Sequence, residues 1–433
     1  MSTPSLSRFS LLLLSTAACT LLALPALADS QARIVRLSDV QGSVQIDKNS
    51  GLGFENAFIN LPITQGVQLR TGANGRAEIE FEDGSSMRLA PNTTVEFSRL
   101  AADDSGRRIS EVSLVAGMAY VNWMGKDAFT LNFSSEKIAL DHVAHFRVDT
   151  STEVANVAVF KGDVDVEGPS GKLTVEKKKT ATFDVANDDK STVENKIAEM
   201  PLDQWDKESV SYHDQYAKNN QTPYGYGVSD LNYYGGYSNV PGYGMMWQPY
   251  FTGVGWDPFM DGAWGFYPGY GYVFASAYPW GWMPYMYGNW AYAPGYGWGW
   301  QPGGFTRWHP VPHYTPTTLT HVNLVVPTAE NGKTVFVGKG GPISSVPPSH
   351  LTVRAGSAGM GIARGSLTNL KSLNHQVAKS GFAQVHPAPA FSASSPSRSS
   401  SSSFGSSHSS MAGSSMGHAS SGGGHSGGGG GHH

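Results

Sequence analysis

Cysteine is nearly absent from this 433-residue sequence, which contains only Cys19. Long apolar runs are missing after residue 28, where no stretch approaches the ~20 residues of a membrane-spanning helix. Only 15% of the residues are charged, and beyond Asp261 a single acid, Glu330, accompanies eight lysines and arginines. The dense basic stripe that is typical of nucleic-acid-binding proteins is also missing. We therefore expect neither a nucleic-acid-binding function nor a transmembrane helix in the chain after residue 28.

Residues 1–28 have the pattern of a secretory signal peptide, with a basic residue, an apolar run and a small-x-small cleavage site. Cleavage between Ala28 and Asp29 would remove Cys19, so that the mature chain could form neither a disulfide nor a thiolate metal site. The alternative is that residues 15–19 are a partial lipobox and that the protein is a lipoprotein. We expect a periplasmic or secreted protein of the bacterial cell envelope, without a membrane span after signal cleavage.

A strand, turn and strand pattern within residues 66–97 is the most regular in the chain. Apolar residues and glutamates alternate, which is the period of a strand with one buried and one solvated face. These faces consist of Ala77, Ile79 and Phe81 and of Glu78, Glu80 and Glu82. Gly84 then predicts a turn to the next strand. A turn of odd length gives the pairs Phe81–Met87, Ile79–Leu89 and Glu80–Arg88.

Residues 29–190 as a whole consist of short runs rich in Val, Ile, Phe and Thr, separated by Gly, Asn and Asp. Gly42, Gly117 and Gly162 each precede two alternating apolar residues, which predicts a bulge or bend at the start of a strand. About 150 residues of such strands can bury a core. The sequence therefore predicts an all-β domain, either a sandwich or a rolled β-barrel.

This region resembles the FecR-type periplasmic domain. The motifs that carry the resemblance are Gly66, Thr71-Gly72, Asp83-Gly84-Ser85 and Pro91-Asn92-Thr93. The family usually has Gly-Thr before its Phe-x-Val strand, but here Val143-Ala144-His145 precede Phe146. FecR proteins also carry a cytoplasmic sigma-factor-binding segment and a membrane helix, and relay signals from an outer-membrane iron transporter. We expect neither segment here, so the resemblance implies the envelope domain without the regulatory circuit.

Residues 196–218 predict a connecting helix with an amphipathic pattern, which begins near Pro201. Its apolar face would consist of Leu202, Trp205, Ser209, Tyr212 and Tyr216. We expect this helix to pack on the β domain, with a loosely docked connector as the alternative.

Residues 224–308 are rich in Gly, Tyr, Trp and Pro, and nine of the eleven tryptophans lie at or after Trp247. Three similar segments repeat around Pro241-Gly242, Pro268-Gly269 and Pro294-Gly295, which predicts three β-hairpins with turns at these pairs. The region resembles the Tyr-Gly-x-Trp repeats that accompany FecR-type domains in some secreted bacterial proteins, a group to which the resemblance assigns no function. That group commonly has Arg between Gly and Trp, and the departures here are Gly236, Ala263 and Asn289.

The remaining chain divides into a small β-containing, irregular segment at 309–391 and a tail at 392–433. Asn331-Gly332 predicts a hairpin, and residues 366–378 predict a short helix. The tail is almost wholly Ser, Gly, His and Met, and we expect it to be disordered. Its histidines could bind zinc, nickel or copper weakly, but the cost of ordering a flexible chain favours a solvated linker.

Aromatic hairpins can present flat apolar faces to sugar rings, and they can also pack on one another. The candidate ligand-binding residues are Trp264, Tyr270, Trp290, Tyr296, Trp298 and Trp300. Asp257 and Asp261 could instead act as paired carboxylates in glycoside hydrolysis. A clustered, half-buried geometry of these two acids would favour this enzyme, and separated, exposed positions would favour a binding protein.

Metal and cofactor sites are not expected. His142 and His145 form H-x-x-H, but an odd spacing on a strand sends their side chains to opposite faces. No nucleophile elbow, P-loop, zincin motif or Rossmann fingerprint occurs. We therefore expect a non-enzymatic binding or scaffolding protein that contacts polysaccharide, peptidoglycan or a protein partner. The alternatives are a glycan-acting enzyme and an envelope signal-relay protein that retains its N-terminal segment as a membrane anchor.

Overall fold

The structure is a computed structural model that describes residues 33–187, 190–315, 322, 324–328, 332–338 and 349–388. The predicted signal peptide with its cleavage site at Ala28 and Asp29, and the predicted tail at 392–433, lie outside the described residues. All described residues belong to one unit, Met1–Ala393. Among them, no helix combines the length and the apolar composition needed to cross a membrane.

Short strands follow one another along the first part of the chain, which we call the β region (residues 33–194). They are β1 (Val35–Gln41), β2 (Val44–Asp47), β3 (Glu55–Asn56), β4 (Pro62–Ile63), β5 (Gln68–Thr71), β6 (Arg76–Glu80), β7 (Ser86–Leu89), β8 (Thr94–Ala102), β9 (Arg108–Met124), β10 (Ala128–Phe133), β11 (Glu136–Leu140), β12 (Val143–Thr150), β13 (Val154–Lys161), β14 (Asp163–Gly168), β15 (Gly171–Glu176), β16 (Thr180–Asp184) and β17 (Lys190–Glu194).

These strands form two sheets that share the long strand β9. Sheet A has the order β4-β1-β6-β7-β9-β12-β13-β16-β17. Sheet B has the order β3-β2-β5-β8-β9-β10-β11-β14-β15. Strand β9 passes from one sheet to the other at Gly117, whose φ is +93°. A Cβ there would lie 2.6 Å from the carbonyl oxygen of Asn92, so the bend requires glycine.

Apolar side chains from both sheets form one core. It includes the ring cluster of Phe81, Trp123 and Phe129, with centroids 4.5 to 5.9 Å apart. The predicted all-β class is confirmed. The sheets are open and do not close into a barrel.

The turn between β6 and β7 has an odd number of residues, as predicted, but the residue pairs across the hairpin differ from the predicted ones. Ile79 lies opposite Met87 and Glu78 lies opposite Arg88. The register is shifted because the turn is tighter than expected, with the amide of Phe81 donating to the carbonyl of Ser85 across three residues. Apolar residues still face apolar residues, since a shift by two positions preserves the faces of a strand.

Four helices are described after the β region, and the first is shorter than predicted. They are α1 (Asp203–Tyr216), α2 (Val228–Tyr234), α3 (Met283–Met286) and α4 (Leu370–Ser380). Trp205 and Tyr212 of α1 are buried, so the helix is docked rather than a loose connector. Helix α4 begins after Asn369, whose side chain accepts a hydrogen bond from the amide of Ser372.

Three hairpins form in the aromatic region (residues 224–308), as predicted, and each turns at its Pro-Gly pair. The later strands are β18 (Gly235–Val240), β19 (Gly244–Pro249), β20 (Gly262–Tyr267), β21 (Gly271–Ser276), β22 (Asn289–Ala293), β23 (Gly297–Gln301), β24 (Tyr314–Thr315), β25 (Val335–Val337), β26 (Leu351–Arg354) and β27 (Phe382–Val385). They form the sheets β18-β19-β23-β22-β24, β21-β20-β25 and β26-β27. Strand β25 pairs with β20, and Asn331 of the predicted hairpin lies outside the described residues.

Candidate functional site

The predicted ligand-binding aromatics separate into buried and exposed side chains. Trp264, Trp290, Trp298 and Trp300 are at most 3% exposed. A sugar ring cannot stack on an indole in the core, so these four do not form the predicted binding surface. They pack on other rings; for example, Trp290 lies 5.9 Å from Trp280 between centroids. Tyr270 and Tyr296 are 37% and 53% exposed, and the prediction remains open for them.

The acidic face of strand β6 is buried, which corrects the solvated face that the sequence predicted. Glu78 and Glu80 of β6 are both 2% exposed, and Glu82, two residues after the strand, is 4% exposed. Helix α1, the N-cap residue of helix α2 and the segment that carries Arg364 contact this face. Residues as far as 286 positions along the chain therefore cover a face that appears solvated in the local pattern.

We call the buried and half-buried charged side chains on this face the ionic layer, which consists of Arg36, Glu78, Glu80, Arg88, Asp206, His213, Asp230 and Arg364. Arg88 contacts Glu78 at 2.7 Å and Asp206 at 2.9 Å. Arg364 contacts Glu78 at 2.7 Å and Asp230 at 2.6 Å. Each arginine thus joins carboxylates from two different elements. The layer therefore ties helices α1 and α2 to sheet A.

Protonation of His213 would balance the charge of the ionic layer, which has four carboxylates and three guanidinium groups. Burial acts to lower the pKa of His213, but Glu78 and Glu80 outweigh it, and the pKa is raised. Burial acts to raise the pKa of Glu78, but His213, Arg88 and Arg364 outweigh it and hold that pKa well below its usual range. The layer therefore favours a charged His213 next to a charged Glu78.

Glu78, Glu80 and His213 offer ligand atoms that all lie within 4.8 Å of one another. A divalent cation there would meet the guanidinium groups of Arg88 and Arg364, which already contact Glu78. Because the carboxylates are paired with cations, the described geometry fits an ion-pair network better than a metal site. His142, which precedes β12, contacts the backbone carbonyl of Asp163, and His145 on β12 contacts the carboxylate of Asp206.

A cavity of about 640 Å³ lies where the β region meets the aromatic region. Its lining includes Arg33, Arg108, Tyr224, Tyr270, Arg307 and Trp308. This volume lies within the ~300–1,000 Å³ of common ligand pockets. The cavity is therefore large enough for a small ligand, and both regions are needed to form it.

Aromatic rings line much of this junction cavity. Tyr270 and Trp308 lie 5.5 Å apart between centroids, and their rings are inclined by 52°. Tyr224 stacks on Tyr287 at 5.0 Å, and its hydroxyl donates to the carbonyl of Phe305 at 2.7 Å. Burial raises the pKa of Tyr224 and of Tyr287, and both phenols are uncharged at neutral pH. The cavity thus combines apolar ring faces with polar groups.

Residues 67–165 match the family model described as FecR protein. The chain contains a FecR domain. Residues 228–324 match the model of a family of unknown function, DUF6600. The junction cavity therefore receives Arg108 from the FecR domain and Tyr270, Arg307 and Trp308 from the DUF6600 region.

Two crystal structures of a protein from Parabacteroides distasonis ATCC 8503, provisionally assigned as an anti-sigma factor, are similar to part of the chain. Both are 18% identical to it and have a TM-score of 0.27. The match covers 36% of this chain and 68% of the other in one case, and 34% and 72% in the second. At this TM-score the likeness supports no conclusion about the fold or the function of this chain. None of the curated proteins matches it.

The sequence pattern points to the aromatic region but does not identify Arg307 and Trp308 as site residues. The repeat pattern ends at Trp300, and Thr306-Arg307-Trp308 lies outside it. Tyr270 is among the predicted candidates as an aromatic residue of the repeat, and so is Tyr296. Only Tyr270 lines the junction cavity together with residues of the FecR domain.

Asp257 and Asp261 are both half-buried. Burial raises the pKa of Asp257, and the charge of Asp261 raises it further. The half-burial of both acids is one part of the geometry that favours the enzyme alternative. Each carboxylate also supports the local fold, since Asp257 accepts a hydrogen bond from the amide of Phe259 at 2.8 Å and Asp261 accepts one from the hydroxyl of Tyr278 at 3.2 Å.

Proposed function

We propose that this protein is a non-enzymatic binding protein of the bacterial cell envelope, and that the junction cavity binds a polysaccharide segment. The observation that carries the proposal is the aromatic lining of a cavity built jointly by the FecR domain and the DUF6600 region. Pyranose rings have apolar faces that pack on aromatic rings, and their hydroxyl groups need hydrogen-bonding partners. The cavity offers both kinds of group.

The periplasmic or secreted location is part of this proposal. It is supported by the signal-like pattern of residues 1–28 and by the envelope location of FecR-type domains. Export with cleavage would give a protein whose first residue is Asp29, which mass spectrometry of protein isolated from the periplasm can measure. A full-length mass with residues 1–28 retained in the membrane fraction would favour the signal-relay alternative instead.

Glycan binding is tested with protein purified after export and titrated with soluble fragments of envelope polysaccharides, with affinity measured by calorimetry. We expect Tyr270→Ala to weaken binding roughly tenfold, which corresponds to about 1.4 kcal/mol. Tyr296→Ala is the matched control, because Tyr296 occupies the equivalent position one repeat later and is exposed outside the cavity. Absence of binding to every glycan would contradict the proposal and direct attention to protein partners.

A glycan-acting enzyme is the second candidate, and the half-buried pair Asp257 and Asp261 supports it. A general acid requires a carboxyl with a raised pKa, and Asp257 has one. The test is the release of reducing ends from cell-wall glycans by the wild type and by Asp257→Asn and Asp261→Asn. Release that both substitutions abolish would establish the enzyme, and no release by the wild type would dismiss it.

A further inference from the structure

We infer that the junction cavity selects sugars that carry a carboxylate. This inference rests on the proposed glycan-binding function and adds the charge of the ligand to it. Three arginines line the cavity, Arg33, Arg108 and Arg307, against the carboxylate of Glu82. The three arginines do not have the same role, since they differ in how many of their donors the protein itself uses.

Arg33 is committed to the fold. Its Nε and Nη2 donate to the two oxygens of Glu82 at 2.8 and 2.7 Å. Its remaining donors reach the carbonyls of Ala101 and Ile109 and the hydroxyl of Ser110. All five donors of this guanidinium group are therefore in use, and Glu82 is neutralised by it. The pair closes one side of the cavity without offering it a net charge.

Arg108 uses part of its hydrogen-bonding capacity. Its Nε donates to Asp127 Oδ2 at 2.8 Å, and its side chain is 26% exposed. Within the described part of the chain, no hydrogen bond involves its two terminal nitrogens. Asp127 therefore holds the Nε edge of Arg108 in place at the lining of the cavity.

Arg307 is exposed at the cavity and forms no ion pair with any residue that the structure describes. It adjoins Trp308, whose ring faces Tyr270 at 5.5 Å between centroids. A cation is thus placed next to an aromatic pair. A pyranose that packs on these rings would present a carboxylate to a guanidinium group, which binds carboxylates through two parallel hydrogen bonds.

Two sources could supply this chemistry in an envelope: a polymer of uronic acids, and a peptidoglycan glycan strand from which the stem peptides have been removed, so that its lactyl carboxylates are free. The experiment compares trigalacturonic acid with its methyl ester, which has the same rings and linkages without the charge. A second comparison uses soluble, peptide-free glycan strands that contain muramic acid against chitooligosaccharides, which lack the lactyl carboxylate. Affinity is measured by calorimetry with the exported full chain at low and at high salt.

We expect at least one acidic ligand to bind roughly tenfold more tightly than its neutral match, with a preference that decreases as salt increases. Arg307→Gln should abolish most of this preference, and Arg307→Lys should keep part of it. Arg354→Gln is the matched control, because Arg354 is exposed away from the cavity. Whichever acidic ligand binds identifies the source of the carboxylate.

Equal affinity for the acidic and neutral members of both pairs would overturn the inference about charge and leave glycan binding intact. A preference that Arg307→Gln does not change would show that the charge is recognised elsewhere, which also overturns it. If none of the four ligands binds while Tyr270-dependent binding to another glycan is present, the carboxylate is not the recognised group. If no glycan binds at all, the proposed function fails together with the inference.

Discussion

Strand β6 buries apolar side chains on one face and carboxylates on the other. Ile79 packs in the core between the two sheets, and Glu78 lies one residue earlier in the ionic layer. Both side chains are at most 2% exposed. The apolar face is covered by another part of the same β region, whereas the acidic face is covered by helices and loops that follow it. The apolar face therefore stabilises the β region itself, and the acidic face stabilises its contact with the helices and loops that follow.

The apolar core stabilises the FecR domain through burial, which is not directional. The ionic layer depends on fixed geometry, because each buried charge must meet its partner to offset its desolvation. Arg36, for example, contacts Glu80 on β6 and Asp230 on α2, and also donates to the carbonyl of Pro279. We infer that the layer fixes how the aromatic region docks on the FecR domain, and so fixes the junction cavity.

The largest expected effect is that of removing an arginine from the ionic layer. Arg88→Ala leaves Glu78 and Asp206 buried without their shared cation, and such a loss typically costs about 3–5 kcal/mol. The free energy of unfolding, measured in urea, should decrease by this amount. The matched control is Arg99→Gln, which breaks an exposed pair with Glu111 and should change stability by less than ~1 kcal/mol. Equal losses of unfolding free energy in the two variants would contradict the distinction between the buried and the exposed ion pairs.

The same comparison shows how far the sequence could predict the molecule. The strand period and the Pro-Gly turns are local signals, and they correctly predicted the all-β class and the three hairpins. The prediction that one face of β6 is solvated was wrong, because residues far along the chain cover that face. Asp206 lies 118 positions from its partner Arg88, and Arg364 lies 286 positions from its partner Glu78. Alternation indicates that a strand has two different faces, but not what covers the second.

The candidate site was predicted in part for the same reason. Tyr270 and Tyr296 occupy equivalent positions of the sequence repeat, so the repeat does not distinguish between them. What distinguishes the two is that residues of the FecR domain lie opposite Tyr270, and this contact is not encoded in either local pattern. The sequence could not separate the four buried tryptophans from the exposed Tyr270 and Tyr296, because aromatic and small residues alternate on both sides of each Pro-Gly turn.

An intermediate effect is expected on the apolar face of β6. Ile79→Val removes one methylene from the core and should lower the free energy of unfolding by about 0.5–1.5 kcal/mol. The loss should be the same at low and high salt, since no charge is involved. Salt-dependent destabilisation by Ile79→Val, measured in urea at two ionic strengths, would mean that the two faces are coupled rather than independent.

The smallest change is the loss of a single proton from the ionic layer. Glu78 and Glu80 raise the pKa of His213 above its ordinary value of 6.5, in spite of burial and of Arg364, which act to lower it. Asp230 and Arg88 belong to the same layer, and their charges do not change between pH 6 and 9. A raised folded-state pKa means that the stabilisation by protonated His213 is complete below about pH 6.5 and is lost as the pH rises through the folded-state pKa.

The free energy of unfolding should therefore decrease from pH 6 to pH 9 in the wild type, and His213→Gln should remove most of that slope. His142→Gln is the control: its pKa is also raised, mainly by a hydrogen bond to the backbone of Asp163, but its side chain is 41% exposed and solvent screens its contribution. Identical slopes in the wild type and in His213→Gln would show that the ionic layer does not depend on this proton. The arginines alone would then hold the acidic face of β6 to its cover.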